Sequence, residues 1–193
     1  KIRRDNLDTL QINIGYKCNQ ACSHCHVDAS PSRIEMMSDH IIELIPKVIK
    51  ANNIKLLDIT GGAPELHPKF KQLVKEVRSL NVEVMDRCNL TILTEPDHEN
   101  LASFLSSNKV QITASLPCYL EENVDKQRGK GVFKKSILGL KQLNSYGYGI
   151  KDSDLVLNLV YNPSGPQLPP SQIELEDTYR RELKERHGIF FSN

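Results

Sequence analysis

Net charge is almost missing from this 193-residue sequence, in which 25 lysines and arginines face 24 aspartates and glutamates for a formal charge of +1. No basic tract or acidic tail breaks the balance, so the electrostatic footprint required by nucleic acid or an anionic membrane surface is lacking. A small-molecule substrate is the class that remains. Long apolar runs are lacking too: no stretch approaches the ~18 residues of a membrane span. The opening "KIRRDNLDTL" has no apolar signal-peptide region. The composition therefore predicts a cytoplasmic protein. Cysteine is scarce, at five residues. An odd number in a reducing compartment argues against a disulfide framework and for metal or catalytic thiols. The sequence has no initiator Met and stops on the apolar "HGIFFSN", which predicts a piece of a longer protein. With 39% hydrophobic residues, residues 1–193 can fill one globular domain.

Strand-like and helix-like periods alternate along the chain. "LQINI", "KLLDIT", "VEVMD", "VQITASL" and "LVLNLVY" are short β-rich runs at nearly regular intervals. Between them, residues 38–52 carry Ile41, Ile42, Ile45, Val48 and Ile49 behind Ser38 as N-cap, with Pro46 inside the pattern. Residues 68–80 open on Pro68 and close at Asn81. Leu101, Phe104 and Leu105 mark a third helix. Val132 to Leu143 mark a fourth, which runs out in the glycines of "YGYG". Ser171 and Glu174 in capping-box spacing begin a fifth that ends at Gly188. Five βα units and the start of a sixth strand predict an α/β fold: a partial, open βα barrel of five to six parallel strands with outer helices. A closed eight-fold barrel takes about 250 residues. Ligands collect at the carboxyl ends of such strands, so the loops after each strand are where chemistry belongs.

The loop after the first strand, "NIGYKCNQACSHCHVDA", packs three cysteines and two histidines between Cys18 and His26. Cys18, Cys22 and Cys25 form C-x-x-x-C-x-x-C. A haem attachment reading of "CSHCH" needs export and leaves Cys18 without a role. A structural zinc held by the three cysteines with His24 or His26 would crowd four ligands into nine residues, where zinc sites draw on two separated knuckles. Three unligated thiols clustered in a loop would invite oxidation. Three thiolates can instead hold a cubane iron–sulfur cluster and leave one iron open to a substrate or cofactor.

This spacing, in this place, resembles the radical S-adenosylmethionine (radical SAM) superfamily. "TGGAPEL" stands where that superfamily carries its Gly-Gly motif after the second strand, although Ala63 and Pro64 here come between the glycines and the acidic Glu65. The resemblance implies that Cys18, Cys22 and Cys25 hold a 4Fe-4S cluster. It places Gly61, Gly62 and Glu65 near the SAM amino group, and His24 in the position of an aromatic residue before the third cysteine. "VDKQRGKGVF" resembles the segment in which an arginine meets the SAM carboxylate, and Arg128 matches it; its fork suits a carboxylate. Ser115 and Asn158 are the candidates for the ribose and for the adenosine or methionine part. "GYKCNQACSHCHVDASPSRIEMM", "DITGGAPEL", "DRCNLTIL" and "SLPCYLEENVDKQRGKGVF" together resemble the arsenosugar-biosynthesis radical SAM proteins, which continue past this endpoint.

The resemblance implies SAM on the open iron, one electron from a flavodoxin or ferredoxin, and release of methionine and a 5'-deoxyadenosyl radical. In the arsenosugar family the deoxyadenosyl group passes to a dimethylated trivalent arsenical. Cys88 follows the third strand and Cys118 the fourth, which predicts both at the carboxyl rim. Trivalent arsenic is soft and favours thiolates, so these two are the candidate catalytic residues that hold the arsenical; the competing reading is two small buried hydrophobes. Two other functions stay open: a peptide-modifying radical SAM maturase, and a non-enzymatic iron–sulfur electron carrier. The carrier would want a fourth cysteine nearby, and none lies between Cys25 and Cys88.

Overall fold

In a computed structural model, which describes residues 6–23, 25–163 and 168–193, the β-rich runs form one five-stranded sheet. Its strands are β1 (Thr9–Asn13), β2 (Leu56–Thr60), β3 (Glu83–Asp86), β4 (Gln111–Ser115) and β5 (Leu157–Val160). They are all parallel and lie in the order β1-β2-β3-β4-β5. The order never reverses, which separates this winding from a doubly wound sheet. Right-handed crossovers then place the helices on one face and leave the other free to curl. The helices are α1 (Asp39–Asn52), α2 (Phe70–Ser79), α3 (Leu101–Ser107), α4 (Glu121–Arg128), α5 (Val132–Ser145) and α6 (Gln172–His187). The expected beginning of a sixth strand runs beside β5: Ser192 N donates to the Leu157 carbonyl (2.6 Å) and Leu159 N to that of Asn193 (2.8 Å). No helix among the described residues is long and apolar enough to cross a membrane.

Strand alternation decides which face is core. Ile12, Ile14, Leu57, Ile59, Val84, Ile112 and Ala114 are buried with Phe70, Leu73, Val74 and Val77 of α2. Each fully buried side chain of the larger kind contributes about 1.5–3 kcal/mol. α1 buries Ile42, Ile45 and Ile49. Ile41 and Val48, expected on the same face, are 45% and 44% exposed, because a stripe of five apolar positions is wider than the surface available to it. Pro46 sits inside the helix without ending it, and Asn53 closes it in the left-handed conformation. The Ser171 hydroxyl accepts from Glu174 N (3.4 Å) at the start of α6, and Gly188 ends it. α4 was not expected as a separate helix: "EENVDKQR" buries only Val124 and Arg128, so it shows no apolar period.

The cysteine loop is tied at both ends. Tyr16 N donates to the Glu35 carbonyl (2.9 Å), Cys18 N to Ser30 (3.1 Å) and Met37 N to Ile14 (3.0 Å). Outside, Arg33 lies over the Tyr16 ring, 4.8 Å from its centroid, and its Nε is 2.9 Å from Glu35 Oε2. The hydrogen bond from Arg33 holds the Glu35 carboxyl down, from 4.5 to about 2. A carboxyl depressed in the folded state adds stability above its unfolded value, and that stability is lost as pH falls through the folded one. The expected loss therefore lies between pH 4.5 and about 2. In an NMR titration Glu35 should titrate near the lower value and move up toward 4.5 in Arg33→Gln. An unmoved Glu35 would contradict the pairing.

Candidate active site

The concave face of the sheet is polar. Gln11 and Asn13 of β1, Thr60 of β2, Arg87 just after β3, and Thr113 and Ser115 of β4 line one pocket of about 480 Å³ with the cysteine loop. Parallel strands buried on both faces read as nearly continuous hydrophobic runs; these alternate because their second face lines a wet cavity. Register places Gln11 beside Asp58, whose buried carboxylate takes a hydrogen bond from Gln11 Nε2 (2.5 Å) and two from Arg87, from Nε (2.9 Å) and NH2 (2.8 Å). Of these, only Ser115 was expected from the sequence. The signal was there as polar residues at every second position of "LQIN", "LDIT" and "QITAS".

Cys18, Cys22 and Cys25 all line the pocket. Cys18 is buried and the other two are half-buried. Burial pushes the Cys18 thiol up, while Asn89 Nδ2 donates to its sulfur (3.6 Å). Ala29 N donates to the Cys25 sulfur (3.3 Å). Such donors stabilise negative charge on a ligating sulfur. Asn89, which sequence reasoning missed, is a junction: its Nδ2 also donates to Asn19 Oδ1 (2.7 Å), and its Oδ1 accepts from Arg128 NH2 (3.0 Å).

Gly61 and Gly62 also line the pocket, but their missing side chains serve the cysteine loop. A Cβ on Gly61, at φ +150°, would stand 2.5 Å from the Gly15 carbonyl oxygen, and one on Gly62 would stand 2.4 Å from that of Lys17. The space is filled by backbone pairing: Gly62 N donates to Gly15 O and Ala63 N to Lys17 O, both at 2.9 Å. Ala63 then packs with Cys18 and Ala29. Small residues are needed here because β2 must reach the loop that carries the thiols.

Arg128 reaches the pocket from the last turn of α4 and is 8% exposed. It donates through NH1 to the Ser115 carbonyl and through NH2 to Asn89. Its Nε is buried without a partner among the described residues. The carboxylate of Asp125 holds the turn that follows, accepting from Gly131 N (2.6 Å) and Phe133 N (2.9 Å).

Three expected site residues lie elsewhere. Glu65 is buried in the 3-10 turn Pro64–Leu66 and meets Asp86 and Cys88 rather than the pocket, because the two residues inserted after the glycines carry it past the rim. Burial raises the carboxyls of Glu65 and Asp86 and the thiol of Cys88. Cys118 packs at the edge of the main core, its sulfur accepting from Asn123 Nδ2 (3.4 Å). Cys88 alone of this pair lines the pocket. The Asn158 side-chain Oδ1 accepts from Asn193 Nδ2 (3.2 Å) at the open edge. His24 lies outside the described residues.

The donor set fits an iron–sulfur cluster with SAM. Three thiols share one wall, an arginine nitrogen is left without a partner, and the cavity is of cofactor size. A family model, the Radical SAM superfamily, matches residues 12–161. Antilisterial bacteriocin subtilosin biosynthesis protein AlbA of Bacillus subtilis is 25% identical over 141 residues, 72% of this chain and 31% of that protein. A probable GTP 3',8-cyclase of Metallosphaera sedula is 23% identical over 144 residues, 74% of this chain and 44% of that one. The structure of Streptococcus suis SuiB bound to S-adenosylmethionine superposes with a TM-score of 0.67 at 18% identity, over 92% of this chain and 39% of that one, a likeness of fold. The chain spans less than half the length of each of these three proteins.

Proposed function

This chain belongs to the radical SAM superfamily, whose cofactors are a 4Fe-4S cluster and SAM, and from that membership we propose that it transfers the 5'-deoxyadenosyl group of SAM to a dimethylated trivalent arsenical. The observation that carries the acceptor is Cys88, a soft sulfur in the lining of the pocket that also holds Cys18, Cys22 and Cys25. When bound, the cluster and SAM supply a reductive cleavage that yields methionine and a 5'-deoxyadenosyl radical, with a flavodoxin- or ferredoxin-type protein as electron source. The chain's own part is positional. Cys18, Cys22 and Cys25 give three ligands and leave a fourth iron site for SAM. Asn89 and Ala29 steady two of the sulfurs. The Arg128 Nε is the donor for the SAM carboxylate, and Gly61 and Gly62 form the wall beside its amino group. Ser115 and Thr113 offer polar groups to the sugar. Cys88 takes the arsenical, since a trivalent arsenic atom prefers sulfur to oxygen.

A peptide-modifying role is the second reading, favoured by the similarity to AlbA, which is named for the biosynthesis of a bacteriocin. Anaerobic reconstitution with SAM, reductant and a trivalent dimethylarsenical separates the two. The expected product is a deoxyadenosyl dimethylarsenical seen by mass spectrometry, lost in Cys88→Ser while 5'-deoxyadenosine release persists. An undiminished product in Cys88→Ser would remove Cys88 from the account. SAM cleavage that never yields an arsenic adduct in the wild type would turn the assignment toward peptides.

A further inference from the structure

The proposed reaction uses Cys88 and leaves the two carboxyls buried beside it, Glu65 and Asp86, without a purpose. Glu65 from the turn after β2, Asp86 at the end of β3, and Cys88 bring two carboxyl oxygens and a sulfur within 4.8 Å of one another. They are 7%, 0% and 2% exposed. Among the described residues neither carboxyl has a hydrogen-bond partner outside the trio, although more than about 90% of buried polar groups normally have one. Arg128, the cation that acts on Cys88, already donates to the Ser115 carbonyl and to Asn89. Two desolvated carboxylates side by side are strongly unfavourable unless a cation or protons compensate them.

We propose that Glu65, Asp86 and Cys88 bind one divalent transition-metal ion of the zinc type. Calcium and magnesium prefer six or more oxygens, or several retained waters, and a thiolate does not suit them. Zinc accepts sulfur and carboxylate oxygen at about 2.0–2.3 Å in tetrahedral geometry. The three atoms stand within 4.8 Å of one another, so the side chains have to rotate closer together to share one centre at those lengths. Three protein ligands leave a fourth position. The two carboxyls are covered while Cys88 lines the pocket, so that position opens toward the reacting groups. Resting on the function proposed above, the ion would hold Cys88 as the thiolate that meets the arsenical and would present a Lewis-acidic fourth position beside it.

The test keeps the loop thiols out of the readout. A Cys18→Ser/Cys22→Ser/Cys25→Ser chain, stripped with a chelator and titrated anaerobically with cobalt(II), is expected to bind one equivalent. It should show a thiolate-to-cobalt charge-transfer band and the visible bands of a tetrahedral site, and zinc should displace both. Adding Cys88→Ser should abolish the charge-transfer band. Glu65→Gln or Asp86→Asn, which keep the shape, should weaken binding at least about tenfold. Circular dichroism of each stripped variant identifies any that has merely unfolded. Zinc analysis of cluster-reconstituted wild type beside Cys88→Ser, at equal iron content, gives a second reading, with one zinc expected in the first and none in the second. A folded loop variant that takes up no stoichiometric cobalt or zinc overturns the proposal and leaves a carboxyl pair neutralised by protons. A charge-transfer band that survives Cys88→Ser also overturns it.

Discussion

Gly62→Ala is expected to cost about 2–3 kcal/mol of stability, the upper part of the range for forcing a methyl group into a packed site, and to strip the protein of its cluster. The added Cβ would stand 2.4 Å from Lys17 O, 2.8 Å from Lys17 C and 3.0 Å from the Ala29 methyl. The two nearest atoms belong to backbone, and no rotamer change removes them. Relief requires β2 and the cysteine loop to separate, which breaks the bonds from Gly62 N to Gly15 O and from Ala63 N to Lys17 O. Those bonds set the height of Cys18 in the pocket. Thermal unfolding should fall by roughly 4–12 °C for a chain of this size, and iron retained after anaerobic reconstitution should drop with it. A variant with wild-type melting and full iron content would show that the close approach does not govern the loop.

Arg128→Ala carries the second large effect, on SAM binding. The guanidinium is almost wholly buried, and two of its nitrogens brace the Ser115 carbonyl and the Asn89 side chain. Its Nε has no partner among the described residues, which is the opening the SAM carboxylate is proposed to fill. A charge-assisted hydrogen bond is worth about 1.5–3 kcal/mol, so affinity for SAM should fall roughly 10- to 100-fold. Arg128→Lys keeps the charge and loses the fork, so it should recover only part of the loss. Equilibrium binding of SAM to the reconstituted chain measures this directly. Unchanged affinity in a folded Arg128→Ala chain would take the carboxylate away from this residue.

The fold was largely legible because its strands are short, β-rich and bounded by helices with clear stripes. Ser171 and Gly188 marked the ends of α6 by their own chemistry. The spacing of Cys18, Cys22 and Cys25 marked the loop that lines the pocket. Other features depend on closure of the sheet, which local pattern does not encode. Gln11 and Asn13 read as an ordinary solvent-facing alternation, and only the curl of five strands turns that face into a cavity. Glu65 was expected beside the glycines. The intervening Ala63 and Pro64 send it under the rim to Asp86 and Cys88. Cys88 and Cys118 both follow strands, yet only the first reaches the pocket, because a loop's path after its strand is set by what it packs on. Asn89 had no signal of its own, since an isolated asparagine after a strand is also a common turn residue.

The central claim is that the three loop cysteines carry a redox-active cluster that cleaves SAM. Its most direct test is anaerobic reconstitution with iron and sulfide, followed by dithionite and SAM, with 5'-deoxyadenosine measured in wild type and in Cys22→Ser. The expected result is 5'-deoxyadenosine and methionine in equal amounts from the wild type, and none from Cys22→Ser. A wild-type chain that holds a full reducible cluster, binds SAM and releases no 5'-deoxyadenosine would contradict it.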